Sequence, residues 1–100
     1  MSNLRSYILS DNAENDVSEI YDYTEREHGA RRAAAYLSGL EKTLNMLVEG
    51  PNLGKLRPEI RKELRSFTYE KHIIFYRVLS DHIRIVRVLH SRRDIPKYFN

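Results

Sequence analysis

The sequence contains no cysteine, which excludes disulfide scaffolds, thiolate metal sites and cysteine nucleophiles together. Stability must therefore come from an ordinary apolar core. Long apolar runs are also missing, since none approaches the ~18 residues a membrane span requires. The opening MSNLRSYILSD has no charged region followed by an apolar signal stretch. A cytoplasmic protein with no membrane partner is expected. No GxSxG turn, P-loop or GxGxxG occurs, so serine-hydrolase and nucleotide chemistry lack their usual frames. Asp and Glu fall mostly on the solvated faces of two predicted helices, which leaves no paired carboxylates for acid and base work. Conventional small-molecule catalysis is not expected, and neither is a cofactor.

What is present is a chain of 100 residues, the size of one domain that buries roughly two thirds of its unfolded surface. Its net charge of +3 conceals an asymmetry. Residues 1–50 hold five Lys or Arg against nine Asp or Glu, and residues 51–100 hold twelve against five, so the halves carry −4 and +7. The basic half would attract an acidic partner, whether nucleic acid or a carboxylate-rich protein segment.

Leu4, Arg5, Ser6, Tyr7, Ile8 and Leu9 read as a strand, closed by Ser10-Asp11-Asn12 in the manner of a helix cap. From there the period changes. Ala13, Val17, Ile20, Tyr21 and Thr24 recur at helical spacing, with acids early and Arg26 and His28 late, until Gly29 stops the helix. A second helix is predicted from Ala33, Leu37, Leu40, Leu44, Leu47 and Val48, ending at Gly50-Pro51. The segment 52–62 has no clean period and reads as a loop with at most a helical turn. Strands follow at 63–67, 72–79 and 82–90, the last two joined at Ser80-Asp81. The tail 91–100 is expected to be an ordered extension with at most one helical turn. The fold class is α+β, a two-layer α/β sandwich of order β-α-α-β-β-β. A helical hairpin over residues 11–49 packs on a mainly antiparallel four-stranded sheet.

Side chains alternate along a strand, so Ile74, Tyr76 and Val78 share one face while Ile73, Phe75 and Leu79 share the other. The last strand, read the same way, places Ile83, Ile85 and Leu89 together and Val86 with Val88. Both faces are apolar, yet one helical hairpin covers only one face. An uncovered apolar face carrying Arg77 or Arg84 suits a protein partner, unless the 52–62 loop and the tail fold over it.

The four histidines do not form a metal site. His82 and His90 are eight residues apart, about 27 Å along an extended strand, and His28 sits where a helix end favours a cation. His72 and His90 read as polar strand-end residues. More informative are the arginines near the strand ends, Arg57, Arg61, Arg65, Arg77, Arg84, Arg87, Arg92 and Arg93, interleaved with Tyr69, Tyr76 and Tyr98. That combination suits phosphate clamping and base stacking, and equally a groove for an acidic peptide.

Three stretches carry a family resemblance. The N-terminal YILSDNAENDVSEIYDYTEREHG is similar to the opening of ParE toxins, a strand leading to a capped helix that ends in Gly. PNLGKLRPEIRKELRSFTYEKHIIFYRV resembles their loop and middle strands, and VRVLHSRRDIPKYF their closing strand and tail. The likeness, to ParE within the RelE/ParE superfamily, spans almost the whole chain in order. It implies a toxin neutralised by a ParD-like antitoxin whose disordered segment folds on it, with DNA gyrase as the target and DNA engaged only indirectly, through the antitoxin complex. The antitoxin is then expected on Phe75, Arg77, Arg84, Val86 and Val88, and the target on Arg92, Arg93, Tyr98 and Phe99. RelE-type members instead cut messenger RNA on the ribosome. In that alternative Arg65, Arg92 and Tyr98 would be catalytic, with Lys55 or Lys62 as a further cation. HSRRDIP is the ParE form of the ending and the loop lacks a dense lysine cluster, which favours the gyrase reading. Arg92 and Asp94 could instead pair to pin the tail. A third alternative is an inactive relative that only binds an antitoxin.

Overall fold

A computed structural model describes residues 6–99. Leu4 and Arg5, at the start of the first predicted strand, lie outside the described residues. The order is β1 (Ser6–Leu9), α1 (Asp11–His28), α2 (Ala30–Glu49), β2 (Lys55–Leu56), β3 (Arg65–Tyr69), β4 (His72–Val78), β5 (His82–His90) and a 3-10 turn (Ile95–Phe99).

Ser10 starts α1 because its extended backbone lets Oγ accept the Ala13 N–H at 3.0 Å. The same hydroxyl donates to the Val86 carbonyl at 2.8 Å, and the Ser10 N–H donates to the Ile85 carbonyl at 2.9 Å. The helix start is thereby tied to β5. Gly29, at φ 91 and ψ 164, is the whole link between the helices. A side chain there would be strained, so the one-residue connection needs glycine. Along α2 the buried Ala33, Tyr36, Leu40, Leu44, Leu47 and Val48 form one stripe, the apolar face that a helix lays on a sheet.

The sheet runs β1-β5-β4-β3-β2, with β1 parallel to β5 and the other neighbours antiparallel. Two helices on this mostly antiparallel sheet are the predicted α+β sandwich. Its extra fifth strand, β2, comes from the predicted 52–62 loop, where Lys55 and Leu56 pair with Ser66 and Arg65. Two residues are too few to show a period. β3 begins two residues later than predicted, because Glu63 turns through φ 64 and no strand continues through such a residue.

The larger correction is a bulge. Phe75 pairs with Arg87 but Tyr76 pairs with Ile85, so Val86 is an extra residue in β5. Beyond it the alternation is reversed. Ile83, Ile85 and Val88 all face the helices, with Ile74 and Tyr76 of β4, and Val86 and Leu89 turn to the opposite face. There a second, smaller core forms from Leu64, Phe75, Leu89 and Phe99, flanked by Ile60, Ile73, Val86, Ile95 and Tyr98. The loop before β3 and the tail supply its cover. The Phe75 and Phe99 rings meet edge-on at 5.1 Å, and Arg61 closes the lid by donating to the Phe99 carbonyl at 2.7 Å.

Candidate functional site

The second core covers only part of the sheet face away from the helices. Its uncovered end carries Arg77 and Arg84, directly opposite each other on β4 and β5, with Ile8 beside Arg84 on β1. Two like charges in register repel, and among the described residues little offsets them. Arg77 reaches Glu63 at 3.6 Å, its Nε is buried with no hydrogen-bond partner, and Ile8 is 49% exposed. Val86 is half-buried at the border of this patch. The structure thus brings Arg77, Arg84 and Val86 to the open part of one face, whereas Phe75 lies covered on that face and Val88 on the other. Phe75 is fully buried beneath Phe99, and Val88, 1% exposed, is turned to the helices by the bulge.

The tail places Arg92 and Arg93 in solvent, Tyr98 half-buried, and Phe99 in the second core. Arg93 donates to the Tyr98 hydroxyl at 2.9 Å, and the Arg92 backbone N–H donates to His90 Nδ1 at 3.1 Å. Asp94 pairs with Lys97 at 3.7 Å rather than with Arg92.

Arg65, Arg92 and Tyr98 do not share a site. Arg65 stands level with Tyr76 and donates to the Gly54 carbonyl at 2.7 Å. Arg92 lies beyond His90, which is level with His72 and Tyr69 at the other end of β3. Four residues of strand, about 13 Å, separate the two levels.

Two features escaped the sequence pattern. One is Asp16, which is 8% exposed and forks onto Arg87 at 2.7 and 2.8 Å while accepting the Val88 N–H at 3.0 Å. It satisfies a donor at the β5 edge where β1 has ended. The signal was an acid inside the apolar stripe of Ala13, Val17 and Ile20. The hydrogen bonds it donates to Asp16 hold the Arg87 guanidinium pKa above its ordinary value. The other is a ladder of rings at the far sheet end. Tyr69 donates to the Tyr36 carbonyl, the Tyr36 hydroxyl lies 3.1 Å from His72 Nδ1, and His72 meets His90 edge-on at 5.6 Å. Burial, with a smaller contribution from His90, holds the His72 imidazole below its usual value, and burial pushes the Tyr36 hydroxyl above the usual phenol range. A cleft of about 710 Å³ runs between α1 and the tail, joining Asp16, Arg87 and Tyr98 to His72 and His90. Among the described residues, no three His, Asp or Glu side chains are grouped to hold a metal ion, and no helix is long and apolar enough to cross a membrane.

Residues 7–95, spanning both helices, nearly all of the sheet and the first half of the tail, match the family described as ParE toxin of type II toxin-antitoxin system, parDE. The chain belongs to the ParE toxin family. It is 35% identical over 92 residues to Toxin ParE1 of Mycobacterium tuberculosis, covering 91% of this chain and 94% of the relative. To Toxin ParE1 of Caulobacter vibrioides it is 34% identical over 88 residues, covering 88% and 91%. Toxin ParE of Escherichia coli is 32% identical over 93 residues, covering 92% and 90%. The fold is also that of a solved chain from the chromosomal ParDE TA system of P. aeruginosa, with a TM-score of 0.75 at 24% identity over 89% of this chain and 98% of the other. The protein is therefore the toxin of a type II toxin-antitoxin system, and such a system implies an antitoxin partner.

Proposed function

We propose that this toxin arrests bacterial growth by poisoning DNA gyrase and is neutralised by a ParD-like antitoxin in the cytoplasm. The observation that carries the target is the geometry of Arg65, Arg92 and Tyr98. Cutting a phosphodiester needs proton transfer and charge stabilisation within hydrogen-bond reach of one phosphate, and Arg65 stands four residues of strand from the level of His90, beyond which Arg92 lies. A poison needs only a binding surface, and the tail supplies one in Arg92, Arg93 and Tyr98, with Phe99 as the anchor beneath. The antitoxin reading is supported by the open face of Ile8, Arg77, Arg84 and Val86, where cations sit beside exposed apolar surface. A disordered acidic segment that folds on binding fits such a face.

Purified toxin is expected to inhibit gyrase supercoiling and to stabilise the cleaved DNA complex. Truncation after His90 is expected to abolish both, but it also strips the second core of Phe99. Paired Arg92→Glu and Arg93→Glu changes leave the second core in place and should weaken inhibition more than tenfold. Tyr98→Phe keeps the ring and should stay close to wild type. Ribosome-dependent cutting of messenger RNA, lost in Tyr98→Phe and without effect on gyrase, would establish the RelE-type activity instead. Unimpeded growth on expression would mark an inactive antitoxin binder.

A further inference from the structure

We propose that Arg87, oriented by Asp16, is a positioning residue that sets Tyr98 of the tail for contact with the target. The proposal rests on the reading of the tail as the target surface. The tail cannot hold an aromatic ring by itself, because among its described residues the only regular structure is the short 3-10 turn Ile95–Phe99 and such turns have weak hydrogen-bond geometry. Arg87 supplies what is missing. Both Asp16 oxygens bind its guanidinium, at 2.7 and 2.8 Å, so its plane is held as well as its charge. That guanidinium lies 5.1 Å from the centre of the Tyr98 ring, within cation–π range. Arg93 adds a second cation at 6.0 Å and a hydrogen bond to the hydroxyl at 2.9 Å. Asp16 is itself immobilised by the Val88 N–H at 3.0 Å. The place of the ring is therefore set through β5 by a carboxylate on the first helix. A role in stability alone would not require this construction, since a buried ion pair is often no better than apolar residues of the same volume. Orientation of a planar group requires the fork.

Arg87→Lys keeps the charge and loses the fork and the plane. In the free toxin it should speed amide exchange across 95–99 by about tenfold while the helices stay as protected as in wild type. In the gyrase assay it should raise the half-inhibitory concentration by about tenfold, and by no more than about twofold in a Tyr98→Ala background, because the ring it positions is already gone. Should Arg87→Lys fold poorly, Asp16→Asn keeps an acceptor for the Val88 N–H, weakens the fork and is read in the same way. Unchanged tail exchange, or penalties for Arg87 and Tyr98 that simply multiply, would overturn the proposal and leave the pair as a clamp between helix and sheet. Wild-type toxin without effect on gyrase would defeat the target reading, and the exchange comparison would still decide whether Arg87 positions the tail.

Discussion

His72 shows how one side chain can make the protein sensitive to acid. It stands beside Tyr36 and His90 at the sheet end, and burial holds its imidazole below the ordinary value of about 6.5. The folded state thus resists a proton that the unfolded chain accepts, and stability must rise with pH across that range. The contribution is present above the unfolded value and is lost as pH falls toward the folded one. Thermal melts between pH 7.5 and 5 should show a falling midpoint, and His72→Gln should flatten the slope. An unchanged slope in the variant would assign the acid sensitivity to other groups. None of this was legible in the sequence, where a histidine opening a strand is a polar strand end. Only the register between His72 and His90 makes it a pair.

Among the elements, the start of α1 has two attachments through one atom. The Ser10 hydroxyl caps the helix and also donates to Val86 in the sheet, so Ser10→Ala should cost about 1–2 kcal/mol. A urea midpoint that falls with no change in the denaturant slope is the expected result. This cap was readable because Ser-Asp-Asn ahead of a helical period is a local signal. The hairpin and four of the five strands were readable for the same reason, each carrying a local signal of its own. The faces of β5 were not. Parity carries no information about an inserted residue, and the apolar doublet Ile85-Val86 between Arg84 and Arg87 reads equally well as a stretch buried on both faces. The pairing with β4 alone reveals that Val86 has no partner. For that reason parity puts Val88 on the partner face while it belongs under the helices; Phe75 does lie on that face, but Phe99 of the tail covers it, a contact no period announces.

At the scale of the molecule, two cores back onto one sheet, and they should differ in strength. Leu47→Ala empties a fully buried position in the larger core and is expected to cost about 2–5 kcal/mol with global loss of stability. Phe99→Ala should cost about 3 kcal/mol, with faster amide exchange confined to the tail and to the loop before β3. Equal loss of protection in helices and tail would mean that the cores do not open separately. Charge follows the same division into layers. Seven of the nine acids of the first half lie on α1, across the sheet from Arg77 and Arg84. Reversing both arginines to Glu should slow antitoxin association by tenfold or more at low salt, with the difference shrinking as salt screens it. Unaltered affinity at every salt concentration would place the antitoxin elsewhere.

The extra residue in β5 also makes chain length a determinant of this surface. Removing the Val86 codon would join Ile85 directly to Arg87 and make the ladder with Tyr76 and Phe75 unbroken. Val88 would still turn toward the helices and Leu89 away from them, because their partners Ile74 and Ile73 are unchanged. A three-base deletion at this point would thus preserve the facing of both cores and cost the open patch its border residue.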